Sequence, residues 1–461
     1  MYKPEMIEIL ERTQTGEYCP SKEWDKRRIP TAIHRKLKEH GLAKTFTRED
    51  PVNCDDELAD AFYKAGYELA LEVGMFCENT ERIVKVSEEE LNIALDLAPS
   101  EIFVGEGKDG TWIRTRVPED PYPMPFGASM AIMLDEDLWP LVTEGIIRER
   151  EVDIISGPSL IKIYGRDVLT GTPFETLAGY VNAKLNRQLR EKAGRPGMGA
   201  IAIPSATSEF GQFGGYAIPG GYRTSDLALC LFPSEMKINY SVLNKVVHTV
   251  NNNGYVFTGS PAMVSGMPGP PEGAVVSAIA CTLLQYAVLH ASAGGGEIYD
   301  VRQLTNVNRE GLWTLSTANQ ALSRNTHLLT HAIANEVSGP CTESFLLESL
   351  VGVSTIAASG VAIAAGPRPA GGKLANYITP LECRFAAEVS HKASGLTRKT
   401  VNEIAKEILP RYEDRITDPD VGKPFVEAYD IKTMRPTKEW ESIYRKVKAE
   451  AISLGVPLSE Y

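Results

Sequence analysis

From about residue 130 onward, short apolar runs rich in β-branched residues alternate with longer stretches of helical periodicity. Nothing else in the chain constrains its fold as much. A strand that returns parallel to its predecessor needs a crossover of a dozen residues or more, which a helix supplies. The strand candidates are Val152–Ile155, Leu160–Tyr164, Ala200–Ile203, Leu227–Phe232, Tyr255–Thr258 and Glu297–Val301. Helical stretches fall at Phe174–Lys192, Val242–Asn251, Gly273–Ala293 and Arg309–Glu336. Six or more such units with short glycine-rich connections predict an α/β fold whose mostly parallel sheet closes into a barrel.

Both ends of the chain read as helical. Phe62–Val73 has apolar residues at helical spacing with Gly74 as its stop, and Ser87 with Glu90 forms a capping box ahead of Leu91. Near the other end Thr437 is placed to cap a helix with Trp440, Ile443, Tyr444, Val447, Ala451 and Leu454 along one side. Gly455 and Pro457 end it. The expected organisation is a helical N-terminal extension over 1–130 with a β-hairpin near 101–117, a barrel over 131–420, and a C-terminal helical segment over 421–461 packed on it.

Charge narrows the partners. The chain carries 48 Lys plus Arg against 60 Asp plus Glu, a net −12, so neither nucleic acid nor an anionic membrane is expected as partner. Seven scattered cysteines without a CxxC fit a reducing cytoplasm. The first residues, MYKPEMIEIL, hold acids and no apolar core, so no signal peptide is expected. Ser349–Gly366 is free of charge, but its Ser, Thr, Gly and Ala content predicts a buried helix and strand rather than a membrane span.

Four motifs carry candidate chemistry. Gly105-Glu106-Gly107-Lys108-Asp109-Gly110 matches GxGxxG, yet the alternating TWIRTRV that follows is a strand pattern, so a hairpin is expected and no dinucleotide site. His327 and His331 stand four apart and would share a helix face, close enough for one metal, although HLLTH lacks a glutamate, which favours ordinary histidines. In Ser159–Tyr164, period-two alternation puts Lys162 and Tyr164 on one face. If that face is the lumen, Lys162 becomes a candidate Schiff-base or carboxylate-holding lysine. The segment Glu209–Tyr222 mixes glycines with Phe210, Phe213, Tyr216 and Tyr222, which predicts a loop whose rings either dock on the body or face a cationic ligand.

At Gly194-Arg195-Pro196-Gly197-Met198-Gly199 the chain resembles the stretch before the pyrrolysine of the monomethylamine:corrinoid methyltransferases. The resemblance continues through Cys77 with Arg82-Ile83-Val84-Lys85, through Arg302 and Arg309-Glu310, and through Gly339-Pro340-Cys341-Thr342-Glu343. It ends with Tyr429-Asp430, Lys432-Thr433 and Pro436-Thr437, so it spans nearly the whole chain. This likeness implies a TIM-like (β/α)8 barrel, a homo-oligomer, and methyl transfer to the cobalt of a separate corrinoid protein. No DxHxxG corrinoid motif occurs here, so the corrinoid is expected on the partner and no cofactor or metal is expected to be held tightly by this chain.

The resemblance also marks where this chain departs. The pyrrolysine position falls at Ile201, beside the equally inert Ala202 and Ile203. The family's two active-site glutamates correspond to Leu229 and Gly259, and its substrate-side glutamine to Ile333. An imine that binds and orients a primary amine is thus replaced by a side chain that adds no nucleophile. These changes argue against monomethylamine and for a donor whose leaving group departs neutral, such as a quaternary ammonium or a sulfonium. The expected site lies at the C-terminal ends of the strands. Its wall would be Ile201, Leu229, Gly259 and Ile333, with Lys162, Glu209, Tyr216, Tyr222, Asp226, Asp300, Arg302 and His331 as polar candidates. A Schiff-base enzyme using Lys162 and a non-catalytic binding protein are the alternatives.

Overall fold

The computed structural model describes residues 4–130, 132–202 and 208–459. Its central element is an eight-stranded parallel barrel. The strands are β1 (Phe126–Ala128), β2 (Ile154–Ile155), β3 (Gly199–Ala202), β4 (Leu227–Leu231), β5 (Tyr255–Gly259), β6 (Gly294–Gly295), β7 (Thr330–Ile333) and β8 (Ile363–Ala365). Each pairs with the next in sequence, and β8 returns to β1. The ring closes between β5 and β6 through a Phe257–Ala293 bridge, with the Thr258 N–H donating to the Ala293 carbonyl at 3.0 Å.

The helices α1 (Trp139–Arg148), α2 (Pro173–Lys192), α3 (Glu209–Gly215), α4 (Tyr240–Asn251), α5 (Pro271–Val288), α6 (Arg309–Asn325), α7 (Glu343–Ala358) and α8 (Pro380–Lys392) follow the strands in turn. This is the TIM-like (β/α)8 order. Helix α5 is apolar and long enough to cross a membrane, but 89% of that window is buried among other elements, as in a core helix. The uncharged Ser349–Gly366 run becomes most of α7 and then β8.

Alternation along each strand divides two apolar layers. Ile155, Ala200, Ala202, Ala228, Cys230, Val256, Ala332 and Ala364 point outward into the large helix-facing core. Ile154, Ile201, Leu227, Leu229, Phe257, Ile333, Ile363 and Ala365 fill the lumen as a separate cluster.

The hairpin of Glu101–Val104 and Thr111–Arg114 plugs the lumen at the N-terminal ends of the strands, contributing Ile102, Val104 and Ile113 to the inner cluster. The GRPGMG stretch seats it. The Glu106 N–H donates to the Gly197 carbonyl at 2.7 Å, and a Cβ on Gly197 would lie 2.0 Å from the Glu106 oxygen. The hairpin thus closes the floor of the barrel at the N-terminal ends of its strands.

The flanking segments behave as their caps dictate. Ser87 and Glu90 form both bonds of a capping box, and Thr437 accepts from the Trp440 N–H to start Lys438–Ser453. That last helix lies against α8, with Trp440 Nε1 donating to Thr379 Oγ1 at 3.1 Å.

Several expected elements fold otherwise. Leu160–Tyr164 is no barrel strand: Lys162–Ile163 pairs with Arg166–Asp167 in a small hairpin between β2 and α2. Its tip, Tyr164, is exposed at a φ of 51°. Ile298–Asp300 pairs with Ala262–Val264 outside the barrel, and the strand there is the glycine pair of β6. Side chains of α5 complete its bonding, because Gln285 Oε1 accepts from the Gly295 N–H at 2.8 Å and Tyr286 Oη from the Gly294 N–H at 3.0 Å. The helix expected to reach Glu336 stops at Asn325, so His331 belongs to a strand.

The glycine-rich Glu209–Tyr222 begins as a helix, α3. Glycine disfavours helices in isolation, but here Gly211 and Gly214 face α2 at backbone contact. A Cβ on Gly214 would sit 2.2 Å from the Thr176 oxygen, and one on Gly179 2.1 Å from that of Gly211.

Candidate active site

The inward column of β4 measures depth in the barrel: Leu227 is 0%, Leu229 8% and Leu231 42% exposed. Solvent therefore reaches the lumen from the C-terminal ends, where a TIM-like barrel carries its site. The four wall residues meet in this well. Ile201, Leu229 and Ile333 belong to the one lumen cluster. Ile201 reaches across to β1, its Cδ1 2.9 Å from where a Cβ on Gly127 would stand. Gly259 closes the β5 side, and a Cβ there would be 3.0 Å from both His331 Nε2 and Leu231 Cδ2. Ile203 lies outside the described residues.

Of the eight polar candidates only His331 enters the lumen. Leu329, His331, Ile333 and Asn335 alternate inward along and beyond β7. The imidazole spans the side-chain-free β6, stacks on Phe257 at 4.3 Å, and donates from Nε2 to the Thr258 carbonyl at 2.6 Å. A carbonyl only accepts, so the proton sits on Nε2 and Nδ1 presents a lone pair. Nδ1 is buried without a partner. Burial holds the ring's pKa down at about 4, so it is neutral at pH 7.

The others lie elsewhere. Lys162 is about half exposed and 4.0 Å from Asp167, far from the desolvated pocket a Schiff-base lysine needs. Asp226 is fully buried at the opposite end of the barrel, where it pairs with Arg190 at 3.3 Å. Tyr216 donates to the Asp226 carbonyl at 3.1 Å and Tyr222 to Asn182 Oδ1 at 2.9 Å, and both rings are buried in the body of the protein. Glu209 accepts from Asn244 at 3.2 Å in the outer helical layer. Asp300 and Arg302 pair at 2.8 Å on the turn after Ile298–Asp300, outside the lumen. His327 contacts the Ala98 carbonyl at 3.0 Å on the connection before β7, so the two histidines do not converge. Among the described residues no three His, Cys, Asp or Glu side chains gather as a metal site.

Sequence reasoning missed the rim beyond β6, β7 and β8. Arg368 Nη1 donates to Glu297 Oε2 at 2.8 Å and to Asn335 Oδ1 at 3.0 Å, while Arg368 Nε and Asn335 Nδ2 are buried without partners. Each of Glu297 and Asn335 follows an inward position of its strand by two residues, a parity that becomes visible only once β6 and β7 are placed. Ser129, two beyond Gly127, is buried with its hydroxyl unpartnered.

Behind this rim, burial pushes Glu336, Glu348 and Glu382 each up to about 7. A raised carboxyl favours the fold fully below its unfolded value, near 4.5, and that contribution is lost as pH climbs through about 7. His391, which the hydrogen bond to Asp153 raises against the effect of burial, works in the same direction. His331 works oppositely, its contribution being lost only as pH falls from 6.5 toward about 4. The urea midpoint is therefore expected to fall between pH 6 and pH 8. A midpoint that rises over that interval would contradict neutral carboxyls at these positions.

The fold is a TIM-like barrel with an apolar lumen that faces solvent at the strand C-termini, the end at which such barrels carry their sites. The family model of the monomethylamine methyltransferase MtmB matches residues 5–456, and the chain belongs to that family. It is a methyltransferase. The chain is 28% identical to monomethylamine methyltransferase MtmB of Methanosarcina mazei over 450 residues, covering 97% of both. To MtmB1 of Methanosarcina barkeri it is 28% identical over 458 residues, again covering 97% of both. The crystal structure of the Methanosarcina barkeri enzyme superposes with a TM-score of 0.94 at 27% identity, covering 99% of this chain and 100% of that one. A crystal structure of a hydroxylamine complex of MtmB superposes equally well, with a TM-score of 0.94.

Proposed function

We propose that this chain moves a methyl group from a small cationic N- or S-methylated compound to cobalt(I) of a corrinoid held by a separate protein, without pyrrolysine. The observation that carries the reading is the lumen wall: Ile201, Leu229 and Ile333 form one packed apolar cluster, and Gly259 adds no side chain. Such a wall neither captures an amine covalently nor protonates a leaving group. It suits a donor whose methyl already sits on a positive nitrogen or sulfur and leaves a neutral molecule behind.

The chain's own residues would bind and orient that donor and keep water away from it. Ring faces attract cations, and Phe257 supplies one deep in the well. The corrinoid contributes the nucleophile when its carrier docks. The side chains of one packed apolar cluster fill the lumen, which supports a corrinoid seated on the partner at the rim. Polar groups kept at the mouth, His331 within and Glu297, Asn335 and Arg368 above, favour catalysis over passive binding. A cytoplasmic homo-oligomer is part of the same reading. Half-exposed Phe174, Leu177 and Tyr180 of α2 beside Phe210 and Phe213 of α3 support it, as an apolar face of the kind partners cover.

The test is a panel of methylammonium, tertiary and quaternary ammonium and sulfonium salts, given to the protein with cob(I)alamin and with its corrinoid protein. Formation of the methyl–cobalt product is followed by absorbance. Product from at least one cationic donor is expected. No product from any donor with either acceptor would overturn the proposal.

A further inference from the structure

We infer that His331 orients the methyl donor through a single hydrogen bond accepted at Nδ1, and that the donor is a tertiary ammonium carrying one N–H. The inference rests on the proposed methyl transfer and names the donor class for it.

The geometry sets the number of bonds. Nε2 is committed to Thr258, so the ring cannot turn over without losing a 2.6 Å bond to a buried carbonyl. Nδ1 is left as an acceptor, buried and unpartnered, on the inward face of β7. The other unpartnered buried groups of the mouth stand higher. Asn335 stands two inward positions beyond His331 along the line of β7, and Ser129 stands one beyond Gly127, where a Cβ would meet Ile201 Cδ1 at 2.9 Å. At the depth of Ile201, Leu229 and Phe257, Nδ1 is the one unpartnered polar side-chain atom among the described residues.

Two glycine positions make this arrangement possible. The paired glycines of β6 let the ring cross to β5, and the missing side chain at Gly259 leaves the space that Nε2 and Cε1 occupy. A Cβ there would stand 3.0 and 3.1 Å from them. A side chain at 259 would press on this imidazole from its first carbon.

One acceptor in an apolar well discriminates by counting. A primary ammonium has three N–H groups and would bury two unmatched. A quaternary ammonium has none and would leave Nδ1 unmatched. A tertiary ammonium matches it, with its alkyl surface against Ile201, Leu229, Ile333 and Phe257. An N–H directed at His331 turns the methyl groups toward the mouth. On transfer the C–N bond breaks with its electron pair staying on nitrogen, and the methyl bonds to cobalt(I) through cobalt's pair, oxidising it formally by two electrons. The amine leaves as a neutral secondary amine that still holds its proton. His331 takes no proton, because the buried ring is far less basic than an alkylamine, whose conjugate acid has a pKa of about 10.

Calorimetric titration of the full chain with trimethylammonium, methylammonium and tetramethylammonium chlorides, without any corrinoid, tests this. Trimethylammonium is expected to bind at least about 10-fold more tightly than tetramethylammonium, the scale of one hydrogen bond to a charged group. His331→Gln, which offers an amide N–H to Thr258 and a carbonyl oxygen to the lumen, should keep most of that ratio. His331→Phe, which keeps the stacking on Phe257, should bring it to about unity while circular dichroism shows the fold unchanged. Equal or tighter binding of tetramethylammonium, a ratio retained in His331→Phe, or no binding of any probe would overturn the inference. Binding with the expected ratio but no methyl transfer would instead count against the proposed reaction alone.

Discussion

Asp226→Ala should lower the free energy of unfolding by about 3–5 kcal/mol, the range for removing one partner of a buried ion pair. Asp226 and Arg190 are both fully buried beneath the barrel. The carboxylate accepts from the Ala200 N–H at 2.9 Å, from the Arg223 N–H at 2.8 Å and from Arg190 Nη1 at 3.3 Å. It thus ties the start of β3, the turn before β4 and the end of α2 together. Removing it strands two backbone N–H groups and leaves a guanidinium whose Nε and Nη2 are already without partners. Arg190→Met should cost less, because the carboxylate keeps its two backbone donors. The double variant Asp226→Leu/Arg190→Met should recover part of the loss, since an apolar pair buries no charge. Urea midpoints of the three variants check this. A double variant as unstable as Asp226→Ala would show that the backbone bonds, not the stranded cation, dominate.

That Asp226 came into view as a site candidate at all shows where a single sequence stops being legible. The βα alternation was readable, and β2 to β5 fell close to the runs that predicted them, because Ile, Val, Leu and Phe announce strands. β1 is Phe-Gly-Ala, β6 is Gly-Gly and β8 is Ile-Ala-Ala, with few β-branched residues to signal them. Their small residues follow from position, since β6 must leave room for His331. His327 and His331 misled through their spacing. Four is even, so it suits one face of a strand as well as one turn of a helix, and β7 was absorbed into α6. Lys162 had the right alternation on the wrong strand.

The wall positions Ile201, Leu229, Gly259 and Ile333 came together in the lumen, yet nothing in their own chemistry marks them. They were legible only through the resemblance, which implies polar groups at the corresponding positions of the family. The polar candidates chosen on residue type were scattered because charge carries no information about depth. What sequence lacked was register, and register decides which of Glu297, Asn335 and Arg368 look into the mouth.

Gly295→Ala should have the second large effect, roughly 4 kcal/mol of lost stability, and should also remove the binding preference assigned to His331. Gly295 has a φ of 156°, which side chains rarely adopt, and a Cβ there would lie 2.4 Å from the His331 carbonyl oxygen and 3.0 Å from its nitrogen. Those are backbone atoms of the neighbouring strand and cannot swing aside. Strain at such a residue costs about 1–3 kcal/mol, and forcing extra volume into a packed contact about 1–3 kcal/mol more. The neighbouring Gly294→Ala is the control: its Cβ would meet Gln285 Oε1 at 2.8 Å and Tyr286 Cε2 at 2.9 Å, which are side-chain atoms able to shift. It should cost markedly less. Because β6 closes the ring against β5 and β7, displacing its backbone moves the strand that carries His331 relative to the Thr258 carbonyl that fixes the imidazole. Urea denaturation gives the stability, and titration with trimethylammonium and tetramethylammonium gives the preference. Equal stability losses at the two glycines would mean that β6 yields as a unit. A preserved preference in Gly295→Ala would mean that the histidine keeps its tautomer without the closed ring.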